Sequence, residues 1–207
     1  EGSFLFSKPI SGPHKHGHII EQHLDVMRYI GCPVDKIEFP LPVLTDEMET
    51  VTKLLEEYNV KSPYVVLVPG TRGGRKKWPI ESWGALAKKL AEDKIFCLIA
   101  GTPNEMGMGK TIKKISPTPY TVNLMGKTNL LELVALEKKA ALHISGDTGP
   151  LHIANAVHTP IIALFGPTLP DRSGPYGNAN GYSLLADHPG TKECRMSSIP
   201  VDRVYQL

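Results

Sequence analysis

The sequence predicts an α/β fold in which a parallel β-sheet is covered by helices on both faces. Three observations carry this expectation. Apolar runs of strand length recur, among them Tyr64–Val68, Ile95–Ala100 and Ile161–Phe165. Between them lie segments whose apolar residues return every three or four positions, as Trp83, Leu86, Ala87 and Leu90 do within Pro79–Glu92. The junctions are short and rich in glycine and polar residues. A parallel sheet is buried on both sides, so its strands read as continuous apolar runs, and each crossover must be long enough to hold a helix.

In chain order, residues 1–17 are rich in Gly, Pro, Ser and His and read as loop. Ile20, Leu24, Met27 and Ile30 share one helical face, and Gly31 stops that helix. Val34–Leu44, containing Pro40 and Pro42, reads as an extended linker. Asp46 with Glu49 marks a helix start, continuing to about Tyr58. Strand Tyr64–Val68, helix Pro79–Glu92, strand Ile95–Ala100, helix Glu105–Ile115 and short strand Thr121–Leu124 follow. Helix Leu130–Lys139, strand Leu142–Ser145, helix Pro150–Val157 and strand Ile161–Phe165 complete the alternation. Tyr182–Leu185 adds a further strand, and Pro200–Gln206 starts a terminal helix.

Composition excludes several classes. A net charge of +2 gives no electrostatic case for nucleic acid. The apolar runs are far shorter than the roughly 20 residues that a membrane-spanning helix needs. Cys32, Cys97 and Cys194 are widely spaced and odd in number, which points to a reducing compartment. Cys97 sits within an apolar strand and reads as core. His14, His16, His18 and His23 invite a metal reading, but ordering a flexible loop is costly and ligand-spaced partners are lacking, so no metal is expected.

In open parallel sheets, ligands bind beyond the carboxyl ends of the strands, where three loops fall. The first, Pro69–Pro79, reads PGTRGGRKKWP. Its glycines let the backbone approach a ligand, Thr71 offers a hydroxyl, and Arg72, Arg75, Lys76 and Lys77 suit either a diphosphate or plain solvent. Trp78 and Pro79 read as packing at the helix entry. In the second loop, Glu105 either complements a helix dipole or holds ribose hydroxyls. The nearby GMGKT, Gly107–Thr111, is no phosphate loop, because Asn104 stands where the first glycine belongs. The third loop holds Asp147, Thr148, Gly149 and, one turn into the helix, His152. Asp147 and Thr148 fit a capping turn, and the helix start at Pro150 offers amides to an anion. Asp147 is ill suited to touch a phosphate and better suited to hold sugar hydroxyls or orient Lys76.

The run SGDTGPLHIANAV, followed by ALFGPTLPDRSGPYG, resembles the signature of glycosyltransferase family 9, which contains the ADP-heptose:lipopolysaccharide heptosyltransferases. The resemblance is close from Pro63 onward and weak over Glu1–Leu44. It implies a Rossmann-like carboxyl-terminal domain of a GT-B enzyme, with residues 1–44 a remnant of the acceptor domain and linker and 45–207 the nucleotide-sugar domain. It makes Thr71, Lys76, Glu105, Thr128, Asp147, Thr148, Gly149 and His152 the donor-binding residues. It implies an inverting transferase that moves a heptose or a related sugar from a nucleotide-diphosphate donor, with ADP-heptose the expected one, to a lipopolysaccharide core without a metal. The expected setting is cytoplasmic, with peripheral contact at the inner membrane. The catalytic base is unassigned, because the family carries it in the other domain, and the chain is expected to be part of a longer protein. A non-catalytic nucleotide-binding module and a sugar-nucleotide epimerase of similar fold stay open as alternatives.

Overall fold

A computed structural model of the chain describes residues 12–42, 44–61 and 63–207. The predicted loop over 1–17 lies outside the described residues as far as position 11, as does position 43 of the predicted linker.

Six strands form one sheet: β1 (Tyr64–Val68), β2 (Phe96–Ile99), β3 (Thr121–Asn123), β4 (Leu142–Gly146), β5 (Ile161–Phe165) and β6 (Gly181–Leu185). Their order is β3-β2-β1-β4-β5-β6, and every neighbouring pair is parallel. This is the order of dinucleotide-binding doubly wound sheets, in which the winding reverses between the first and fourth strands. Val65 marks the reversal, lying opposite Cys97 of β2 on one side and Leu142 of β4 on the other.

Eight α-helices are present among the described residues: α1 (Ile19–Tyr29), α2 (Thr45–Glu57), α3 (Ile80–Glu92), α4 (Met106–Ile115), α5 (Leu130–Lys139), α6 (Gly149–Ala156), α7 (Pro170–Ser173) and α8 (Val201–Tyr205). Side chains along β1 alternate between two cores, as the strand period of two demands. Val65 and Leu67 join Trp83, Leu86, Ile112 and Val204 from α3, α4 and α8. Tyr64, Val66 and Val68 join Val51, Leu133 and Leu136 from α2 and α5. A third cluster seats Leu151 and Ala154 of α6 on Ile161, Ala163 and Phe165 of β5. Each fully buried aliphatic side chain here contributes roughly 1.5–3 kcal/mol.

The expected parallel sheet with helices on both faces is therefore present, with small shifts at its element ends. Asp46 does not cap α2. The cap position falls two residues earlier, at Leu44, which makes no side-chain cap, and the helix starts at Thr45. The predicted helix from Glu105 splits into a 3₁₀ turn, Pro103–Glu105, and α4, and GMGKT lies within α4. Trp78 is buried, donates from Nε1 to Ile199 O at 3.0 Å and meets Trp83 edge-on at 5.0 Å. Cys97 is a core residue whose thiol burial pushes up to about 12.

The amino-terminal described segment rests on the loop after α7. His18 caps α1, its Nδ1 accepting from Ile20 N–H at 3.2 Å. That role leaves Nε2 protonated to donate to Gly174 O at 3.1 Å. Tyr176 stacks obliquely on His18 at 4.8 Å and hydrogen-bonds Glu21 of α1.

Candidate functional site

A cavity of about 890 Å³ opens beyond the carboxyl ends of β1, β2 and β4, at the reversal of the sheet. Thr71, Lys76, Glu105, Thr128, Asp147, Thr148, Gly149 and His152 all line it. Three separate loops and the start of α5 supply them, and the strand order brings those segments together.

The loops after β1 and β4 are tied to each other. Lys76 Nζ lies 2.6 Å from Asp147 Oδ2. The Thr71 hydroxyl donates to the Asp147 carbonyl at 2.9 Å. Two further hydroxyls reach the same carboxylate: Thr168 at 2.9 Å from Oδ2 and Ser173 at 3.3 Å from Oδ1. Burial pushes the Asp147 carboxyl up, but the hydrogen bonds from Lys76 and Thr168, the Lys76 charge and the Ser173 bond outweigh it, so its pKa is lowered. Asp147 therefore stays ionised and holds Lys76 in place. Sequence reasoning missed Thr168 and Ser173. The available signal was FGPT, directly after β5, whose threonine received no role.

The amide mouth of α6 faces the same space. Thr148 stands at the cap position in extended backbone (φ −152°, ψ 163°), makes no side-chain cap and is followed by Gly149 at the first helical position. Pro150 is thus one residue further in than expected. Among the described residues, no protein acceptor takes the Thr148 or Gly149 N–H. Such unpaired amides at the positive end of a helix dipole suit an oxyanion.

His152 is exposed, yet the protein around it desolvates its imidazolium and lowers its pKa. The Asp147 charge pulls the other way, and His18 adds to the lowering.

Glu105 closes the turn ahead of α4 and also lines the cavity. Its Oε2 accepts from the Thr102 backbone N–H and hydroxyl, each at 2.8 Å, closing a capping box. Its Oε1 lies against Gly70, where an added Cβ would come within 1.9 Å of it. The carboxylate thus sits at the cavity wall because position 70 has no side chain. Leu130, Leu133 and Pro103 supply an apolar wall beside it.

The four cations of the Pro69–Pro79 loop do not act together. Arg72 and Lys76 line the cavity, whereas Arg75 and Lys77 line a different pocket. Gly73 (φ +88°) turns the chain into a 3₁₀ turn, Gly74–Lys76. With three residues per turn, successive side chains diverge by about 120°.

Among the described residues, no group of three or more His, Cys, Asp or Glu is arranged to hold a metal ion. His14 instead pairs with Asp25 at 2.9 Å. No helix among the described residues is long and apolar enough to cross a membrane.

Comparison with known proteins agrees with this architecture. The chain is 28% identical over 196 residues to the lipopolysaccharide core heptosyltransferase OpsX of Haemophilus influenzae, a match covering 93% of this chain and 55% of that protein. It spans about half the length of the curated relatives it matches. The crystal structure of a family 9 glycosyl transferase from Veillonella parvula superposes with a TM-score of 0.83 at 19% identity, over 96% of this chain and 60% of that one. The Escherichia coli heptosyltransferase WaaC, solved with ADP, gives 0.69 at 23% identity, over 97% and 57% respectively. The model of glycosyltransferase family 9 (heptosyltransferase) matches residues 2–200, and the chain belongs to that family.

Proposed function

We propose that this chain is the donor-binding part of an inverting glycosyltransferase that moves a heptose from ADP-heptose onto a lipopolysaccharide core acceptor. The observation that carries the reading is that Lys76 and the amide mouth of α6 line one cavity. A diphosphate there meets a cation on one side and the Thr148 and Gly149 amides on the other. The solved WaaC relative carries ADP, and OpsX is a core heptosyltransferase, which supports the choice of nucleotide, sugar and acceptor.

In this reading, the acceptor hydroxyl oxygen attacks the anomeric carbon from the face opposite the diphosphate. The bond from that carbon to the leaving oxygen breaks, and its electron pair goes to the diphosphate. Lys76, the two amides and the α6 dipole stabilise that charge as it develops, so fixed positive charge fills the role of a metal. Asp147 positions Lys76. Glu105 and Thr128 flank the nucleoside, with Leu130 and Leu133 against its base. The acceptor proton passes to a carboxylate of the amino-terminal domain. The reaction takes place on the cytoplasmic side, at or near the inner membrane.

Calorimetric titration with ADP, paired with a transfer assay on the whole protein, tests the reading. Tight ADP binding with heptose transfer to a core acceptor is expected. ADP binding without transfer would reduce the protein to a nucleotide-binding module. Conversion of the free sugar nucleotide in the absence of acceptor would replace the transferase by an epimerase.

A further inference from the structure

A second pocket, of about 410 Å³, lies where the Gly74–Lys76 turn meets the loop before the 3₁₀ turn Met196–Ser198. Arg75, Lys77, Lys192 and Arg195 line it, and no lining side chain is acidic. It shares no lining residue with the larger cavity.

The arrangement of its two guanidinium groups is unusual. Arg75 Nη2 donates to Thr191 O at 2.8 Å and to Lys192 O at 3.2 Å. Arg195 Nη1 donates to the same Lys192 O at 2.8 Å and to Cys194 O at 3.0 Å. Two cations therefore converge on one carbonyl oxygen. Neither has an ion-pair partner among the described residues. Glu193, on the same loop, is the nearby acid. Its carboxyl is held below the usual range, by local hydrogen bonding first and by the Arg195 and Arg75 charges after it; the Thr191 hydroxyl itself donates to His188 O at 2.8 Å.

Each guanidinium is tethered by one terminal nitrogen, and its remaining donors are not engaged by protein among the described residues. The ammonium groups of Lys77 and Lys192 likewise make no hydrogen bond or ion pair among the described residues. The loop is held from beneath by Cys194 and Met196, both buried against Gly166, where an added Cβ would fall 2.4 Å from the Met196 sulfur. All four cations are exposed, so solvent screens part of their mutual repulsion, and an anion between them converts the remainder into charge-assisted hydrogen bonds.

We propose that this pocket is a second anion site, separate from the diphosphate cavity, and that its ligand is a phosphate group. That group belongs either to a free phosphate ester or to the headgroup of an anionic lipid surface. Neither source requires the nucleotide reading of the first cavity.

The test titrates the whole protein with inorganic phosphate, with and without ADP, and sediments it with phosphatidylcholine vesicles that contain or lack phosphatidylglycerol. The comparison variant is Lys77→Gln/Lys192→Gln, whose lost ammonium groups support no protein contact. The expected result is phosphate binding that ADP does not displace and that the double variant weakens about tenfold or more, at an unchanged thermal midpoint. Retention by phosphatidylglycerol vesicles, lost in the variant, identifies the lipid source. Phosphate binding without vesicle retention identifies a free ester. The proposal is overturned if neither phosphate nor phosphatidylglycerol binds outside the ADP site, or if the double variant binds both as well as the parent. Failure of ADP to bind would count against the donor reading alone.

Discussion

Lys76 and Asp147 stand 71 residues apart in the chain, yet Nζ lies 2.6 Å from Oδ2, at the rim of the cavity. The pair closes the seam between β1 and β4, with the lysine about one-third exposed and the carboxylate more deeply set. Solvent screening at such exposure leaves its folding contribution at about 0–1 kcal/mol. A diphosphate in the cavity gains more from the same lysine, about 1.5–3 kcal/mol for a charge-assisted hydrogen bond. Lys76→Ala is therefore expected to weaken ADP binding about tenfold or more by calorimetry, while the urea midpoint moves little. Equal ADP affinity in the variant would remove Lys76 from the site.

Gly70→Ala probes the other end of the cavity. The new Cβ would fall 1.9 Å from Glu105 Oε1. A flexible carboxylate swings aside more readily than a strand shifts, so the fold is retained and Glu105 leaves the wall. Affinity for ADP is expected to fall about tenfold, with affinity for inorganic pyrophosphate unchanged. Glu105→Gln should reproduce the direction of the effect. If both variants bind ADP normally, Glu105 contacts no nucleoside.

Acid should destabilise the protein in two separate windows. The folded state holds His152 below its ordinary value of 6.5, so on acidification the unfolded chain takes up that proton first and stability falls from about that pH downward. Asp147 is also lowered, from 3.8, and its contribution is complete above that value and is lost as pH falls through the folded value. Unfolding curves across a pH series should show both windows, and His152→Gln should remove only the upper one. NMR titration of the ring should place its midpoint below 6.5, and bound ADP should raise it. A midpoint that ADP leaves unmoved would place the diphosphate away from this ring.

Behind the site, β4 carries a wholly buried polar chain. His143 Nδ1 lies 2.8 Å from Glu137 Oε1, and Nε2 lies 2.8 Å from Ser145 Oγ. Both side chains are fully buried, and Glu137 Oε2 has no hydrogen-bond partner among the described residues. His143→Ala strips the carboxylate of its partner and should cost about 3–5 kcal/mol in denaturant unfolding. Glu137→Leu/His143→Leu should recover much of that loss. If the single variant is as stable as the parent, the pair has no structural role.

Strands were legible in the sequence because burial on both faces makes them continuous apolar runs, as in YVVLV at 64–68. Element ends were less so. Asp46 and Glu49 have the composition of a capping box, but the chain enters α2 two residues sooner, with Leu44 at the cap position. The loops around Asp147 and Lys76 stood out because glycine, hydroxyl and charge cluster just after apolar strands, whereas the individual residues within them came from the resemblance to glycosyltransferase family 9. Thr168 and Ser173 escaped, since a hydroxyl beyond β5 says nothing local about a carboxylate more than twenty residues earlier.

By itself the sequence determined the element types, the two-sided sheet and the segments able to meet a phosphate, because period and turn chemistry act over a few neighbouring residues. Tertiary structure alone decided that β1 lies beside β4, that Asp147 holds Lys76, and that Arg75 and Lys77 turn away from the pocket their neighbours line. Strand order depends on how crossovers pack against both faces at once, and the direction of a loop side chain depends on the turn beneath it. Neither is written in any short stretch of chain.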